Sequence, residues 1–201
     1  MKKNQKQRKI QRTNIIKMNR GEALLMLKNK VKTLNLVKHC LACEVAMKEL
    51  AQHFAEDEEK WGMTGLLHDI DYEETKDKPG EHSLIGAKYL EEQNIDKEIT
   101  EAVKTHNEIH GLMPASKLAK TLFCVDPLTG LIVATTLVLP SKKIKEVTVD
   151  NVLNRFKEKG FAKGAKREII EQCEPLLGLT LEGFVAIVLG GMQKISQELG
   201  L

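Results

Sequence analysis

The sequence lacks the long apolar run that a membrane helix requires. Its longest uncharged stretch runs from Pro127 to Ser141, short of the ~20 apolar residues that cross a bilayer, so no transmembrane helix is expected. No export signal is expected either: no apolar middle region follows the basic opening, and the opening is too poor in serine for a transit peptide. Cysteine is sparse, with Cys40, Cys43, Cys124 and Cys173 in 201 residues. Without an export signal these read as reduced, mostly buried thiols and not as a disulfide framework. The expected location is cytoplasmic, with no membrane partner. Neither type of glycine-rich phosphate loop occurs, and there is no internal repeat.

Charge of one sign is absent from the start of the chain. Residues 1–20 carry eight basic side chains and no acidic one, so the net charge of +3 leaves 23 basic against 28 acidic residues from Gly21 onward. Residues 1–17 show no hydrophobic periodicity and read as a disordered, basic arm, and Met18 could equally be the first residue. Aromatics make up only 4% of the chain and none interleaves with the arm, so the arm alone gives little weight to nucleic-acid binding.

What is present is enough for one core. At 42% hydrophobic and 29% charged, the composition is that of a folded chain with one domain over residues 18–201. Apolar positions recur at helical spacing through Leu24, Leu27 and Val31, and again from Leu36 to Leu50. Asp57 to Ile70 opens with acids and carries Trp61, Leu66 and Leu67, a third helix ending at His68-Asp69. Residues 71–80 are polar and close on Pro79-Gly80, so a surface loop is expected. Helices follow at about 82–93 and 96–108, the second capped by Asp96. Residues 115–139 could be buried strand or buried helix, and the absence of a partner strand favours helix. Further helical patterns near 149–158, 164–176 and 180–199 complete an all-α domain of about eight helices. The apolar stripe Phe184, Ile187, Val188, Met192 and Ile195 reads as core, although an interface would look the same. Oligomeric state is left open.

The chemistry rests on histidine and acid. His68 and Asp69 follow an apolar helix and precede a polar loop, where a fraying helix end can turn imidazole and carboxylate toward one divalent cation. His106 and His110 have the spacing of a metalloprotease helix, but Asn107 stands where that motif needs its general base. Cys40-x-x-Cys43 has no second pair at zinc spacing and reads as core packing.

His39, His68-Asp69 and Asp126, in this order along a helical chain, resemble the signature of the HD-domain superfamily of metal-dependent phosphohydrolases. Gly65-Leu-Leu-His-Asp-Ile-Asp71 is similar to its central motif, and Glu81-His-Ser-Leu-Ile-Gly86 to the segment that adds a histidine in two-metal members. The resemblance covers about residues 20–200 and is closest to HDIG-type predicted hydrolases. It implies that His39, His68, Asp69 and Asp126 hold one divalent cation. Asp69, His82 and His106 would hold a second, more weakly, because Asn107 replaces a further histidine. Ile70-Asp71-Tyr72 stands where many relatives have Ile-Gly-Lys, and Pro127 is expected to kink or restart the helix carrying Asp126.

A divalent cation in such a site lowers the pKa of bound water from ~16 toward ~7, and phosphoester cleavage is the reaction that benefits. Asp69, Asp71 or Glu73 would handle the proton. Lys142, Lys143 and Arg155, with Lys157 and Lys163 as further candidates, would meet the substrate's phosphate. A mixed imidazole and carboxylate set suits Mn, Fe, Co, Ni or Zn better than Mg. The expected substrate is a small phosphomonoester or phosphodiester, such as a nucleotide. A regulatory module that binds metal or nucleotide without turnover is the alternative.

Overall fold

Local chemistry sets where the helices begin. Asn19 accepts the Glu22 main-chain N–H at 3.0 Å while the Glu22 carboxylate accepts the Asn19 N–H at 2.9 Å, and this reciprocal cap opens α1 (Arg20–Lys30). The computed structural model describes residues 18–201, so the arm expected over 1–17 lies outside the described residues. α2 (Leu34–Phe54) follows and ends where Ala55 turns left-handed. Asp57 caps α3 (Glu58–Leu67) through the Lys60 N–H. The single turn α4 (Tyr72–Thr75) and then α5 (Leu84–Glu92) lead to α6 (Lys97–Thr105), capped by Asp96 as expected.

A 3₁₀ turn at Glu108–His110 leads to α7 (Lys117–Leu137), capped by Ser116. A second 3₁₀ turn, Ile144–Glu146, precedes α8 (Val149–Lys157), whose Thr148 and Asn151 form another reciprocal cap. Two short helices, α9 (Arg167–Ile170) and α10 (Cys173–Leu177), end at left-handed Gly178. α11 (Leu181–Lys194) and α12 (Ser196–Leu199) close the chain. Eight of these helices reach nine residues or more and the rest are one or two turns, with no strand among the described residues. The domain is all-α, and the ambiguous segment 115–139 is helix.

α2 and α7 form the centre. α2 buries Leu41, Met47 and Leu50, and α7 buries Leu122, Val125, Leu128 and Leu131, each worth about 1.5–3 kcal/mol when withdrawn from water. α11 packs across both, with Phe184, Val188 and Met192 fully buried, so the main part of its apolar stripe is core. α7 also hides four threonines, and Thr121, Thr135 and Thr136 return their hydroxyls to carbonyls one turn back. The helix continues through Pro127, so it does not restart there. Completely buried Val125 and Leu128 on either side outweigh the one lost main-chain bond.

α7 is also long and apolar enough to cross a bilayer, which the uncharged run alone did not suggest. Most of it is buried against neighbouring helices, so core packing accounts for its composition. The four cysteines are free and buried, and burial pushes the Cys124 and Cys173 thiols up to about 12 and 11. Arg20, the last of the basic opening, belongs to the fold: its guanidinium grips buried Glu44 through two bonds of 2.5 and 2.9 Å.

Candidate metal centre

The closest helix crossing sets the site. At Gly65, α3 lies so near α2 that a Cβ would stand 2.5 Å from the Cys43 carbonyl oxygen. This brings His68, at the C-terminal end of α3, beside His39 in α2, with their Nε2 atoms 3.3 Å apart. Asp126, within α7, places its Oδ1 2.9 Å from His39 Nε2 and 3.7 Å from His68 Nε2. Asp69, in the turn after α3, completes this group and reaches a second one. Its Oδ1 lies 3.3 Å from His82 Nε2 and 3.4 Å from both His68 Nε2 and His106 Nε2.

Each imidazole is oriented by its other nitrogen. His68 Nδ1 faces the Gly65 carbonyl at 2.8 Å and His106 Nδ1 faces the Val103 carbonyl at 2.6 Å; a carbonyl only accepts, so both Nδ1 atoms carry hydrogen. His82 Nδ1 donates to Asp71 Oδ1 at 2.9 Å, and His39 Nδ1 donates to the Thr129 hydroxyl at 3.2 Å. That hydroxyl in turn donates to the Asp126 carbonyl at 2.9 Å. Four Nε2 atoms therefore turn inward, toward two carboxylates.

Acceptors facing acceptors repel, so this centre calls for positive charge. His106 Nε2 is buried with no hydrogen-bond partner, a costly state that a cation would relieve. The same demand appears in the protonation of the cluster. Burial pushes the His68 and His82 imidazoles down, but nearby carboxylates, led by Asp69, outweigh it and hold them up at about 10 and 9. His39 is likewise raised, with Cys43 and Asp126 overcoming burial. Burial opposes ionisation of Asp69 and Asp126, yet the surrounding histidines hold both well below the usual carboxylate range. Two donor groups could hold a metal ion: His39, Cys43, His68 and Asp126, and His68, Asp69 and His106. The residues fit divalent cations.

All six expected metal-binding residues thus lie in one cluster, but other residues expected in the site stand apart from the chemistry assigned to them. Glu73 is remote from it: its exposed carboxylate accepts the main-chain N–H groups of Lys32 and Thr33 and the Thr33 hydroxyl. It caps the N-terminus of α2, whose own cap residue makes no side-chain bond. Asp71 is buried with both oxygens engaged, one by His82 and one by the Gly86 N–H at 2.7 Å. Both oxygens are thus engaged in holding His82 and the main chain at Gly86.

A cavity of about 460 Å³ opens beside His39, His82, His106 and Asp126, and it also meets Tyr72, Asn107, Glu108, Phe123, Lys163 and Lys166. Lys142, Lys143 and Arg155 do not line it. Arg155 instead pairs with Glu158 and lies over the Phe161 ring at 5.1 Å. Several contributors escaped the sequence reading. Thr129, one helical turn from Asp126 on α7, was visible in principle through its spacing. Cys43, read as core, lies 3.9 Å from His39 Nε2 and 3.5 Å from the Thr129 hydroxyl. Asn107 and His110 both bond the His82 carbonyl, at 3.3 and 2.7 Å, and so hold that loop in place.

Residues 36–130 match the HD domain family, and the matched span contains every histidine and carboxylate of this centre. This segment of the chain is similar to an HD domain. This family consists typically of metal-dependent phosphohydrolases. Among curated proteins the chain is similar to Ribonuclease Y of Oleidesulfovibrio alaskensis, at 30% identity over 96 residues. That alignment takes in 48% of this chain but 18% of the relative, so the chain spans under a fifth of that protein's length. No solved structure gives a significant match.

Proposed function

We propose that this protein is a metal-dependent hydrolase of phosphomonoesters or phosphodiesters, with nucleotides as its substrate class. His39, His68, Asp69 and Asp126 would hold a first divalent cation. Asp69, His82 and His106 would hold a second. The observation that carries the reading is the outward anchoring of all four Nδ1 atoms, which leaves four Nε2 atoms and two carboxylates converging at 2.9–3.7 Å. The imidazole share of the donors suits Mn, Fe, Co, Ni or Zn better than Mg.

Such a cation, when bound, supplies Lewis acidity that activates water and screens phosphoryl charge. The protein's own groups do the rest. Asp71 and Thr129 fix the tautomers of His82 and His39. Asp69 Oδ2 faces His39 Nε2 at 3.6 Å, so Asp69 would span both donor groups. The cavity beside His39, His82 and His106 has room for a substrate of nucleotide size. The likeness to a ribonuclease over 96 residues supports cleavage at phosphorus.

The test is a screen of nucleotide phosphomonoesters and phosphodiesters with wild type and Asp69→Ala in the presence of Mn²⁺. Turnover by wild type that falls at least a hundredfold in Asp69→Ala is expected. Equal turnover by both proteins, or metal-dependent binding without any turnover, would overturn the hydrolase reading.

A further inference from the structure

Part of the cavity lining is a loop tied into shape by a single side chain. The Arg167 guanidinium donates to five main-chain carbonyls, those of Arg155, Phe156, Phe161, Ala162 and Ala165, at 2.5–3.3 Å. Five donors are all that a guanidinium has. Arg167 makes no ion pair among the described residues, and burial lowers its pKa, so its whole capacity goes into the loop. Ala162 is held at a left-handed φ of 43°, a conformation costly for alanine unless its surroundings impose it.

What this construction presents to the cavity is charge. The loop lines it with Ala162, Lys163, Gly164, Ala165 and Lys166. Lys163 and Lys166 are the lysines in that lining, and no arginine joins them. Lys163 makes no ion pair among the described residues, whereas Lys166 is engaged by Glu108 from the 3₁₀ turn that follows His106. Asp126, the other acid of the lining, faces the histidines.

We propose that Lys163 and Lys166 receive a phosphate of the substrate other than the one cleaved, and that this phosphate displaces Glu108 from Lys166. This rests on the phosphohydrolase reading and specifies it: the preferred substrates carry at least two phosphate groups, one at the histidines and one at the loop. A cavity of about 460 Å³ has space for both. Lysine suits the task as a mobile point charge that follows a phosphate without demanding one geometry. Glu108 keeps Lys166 paired until an anion of higher charge arrives.

The test is calorimetric titration of the full chain with inorganic pyrophosphate and, separately, with inorganic phosphate, both at constant free Mn²⁺. Lys163→Ala and Lys166→Ala are each expected to weaken pyrophosphate about tenfold and the double variant about a hundredfold, with phosphate changed less than twofold. Lys163→Arg retains the affinity. Glu108→Gln tightens pyrophosphate at least threefold, a gain that damaged folding would not produce. Lys142→Ala, outside the cavity, is the neutral control. Pyrophosphate affinity unchanged in the double variant would overturn the proposal. So would equal losses for phosphate and pyrophosphate, which would put the lysines on the scissile group. Because binding is read without turnover, lysine-dependent pyrophosphate binding in a protein that hydrolyses nothing would refute the hydrolase reading alone.

Discussion

Gly65→Ala tests whether the crossing of α2 and α3 sets the metal centre. The added Cβ would stand 2.5 Å from the Cys43 carbonyl oxygen, 2.6 Å from its carbon and 2.8 Å from the Glu44 nitrogen, where ordinary contact begins at 3.4 Å. The obstacle is main chain, so no rotamer relieves it. The helices must part by about 1 Å at the crossing. His68 lies three residues beyond Gly65 and His39 four residues before Cys43, so the displacement falls on a pair of Nε2 atoms now 3.3 Å apart. Metal sites tolerate errors of about 0.2 Å in ligand distance. Overpacking of this kind costs on the order of 1–3 kcal/mol, or roughly 3–10 °C in a domain of this size. Mn²⁺ affinity should fall at least tenfold. Calorimetric melting with and without Mn²⁺ and a Mn²⁺ titration measure both effects. A variant that melts within about a degree of wild type and binds Mn²⁺ equally well would refute the argument.

Other perturbations separate the roles of neighbouring acids. Asp71→Asn keeps the shape but turns a donor toward either the His82 Nδ1–H or the Gly86 N–H. The second equivalent of metal should bind about 10–100-fold more weakly while the first changes little, as a two-site titration would show. Glu73→Gln weakens the cap on α2 and should lower the melting temperature without changing turnover; a tenfold loss of rate would return Glu73 to the reaction. Protonation gives a fourth test. The His82 pKa is raised from 6.5 to about 9, so in chelated protein its favourable charge is fully present below about pH 6.5 and is lost as pH rises through 9. Chelated protein should lose on the order of 3 kcal/mol over that window, seen as a falling melting temperature, while Mn²⁺-loaded protein should show little change.

The helices and the six inward-facing histidines and carboxylates were legible because each follows from local pattern or from residue order. Asp57, Asp96 and Ser116 each announce a helix start, and His68-Asp69 marks the end of another. The roles of Asp71 and Glu73 were not legible. Two acids four positions from Asp69 or nearer look equivalent on paper, yet one turns inward to His82 and the other reaches a helix 40 residues away. The cationic wall was only partly placed, since Lys163 lines the cavity while Lys142, Lys143 and Arg155 do not. Lys142, Lys143, Arg155 and Lys163 are all basic residues of the same half of the chain, and the carbonyl network around Arg167 shapes the loop that brings Lys163 to the cavity. Pro127 does not restart the helix, because the packing of α7 on both sides of it outweighs its missing N–H.

Metal content measured directly on the purified protein tests the central claim most closely. Elemental analysis after gentle preparation, followed by Mn²⁺ titration of chelated wild type and Asp69→Ala, should give one to two equivalents in wild type. Asp69 touches both donor groups, so its loss should reduce the content to well under one equivalent. Wild-type protein that holds no divalent metal and takes none up, or Asp69→Ala that binds as much as wild type, would contradict the account.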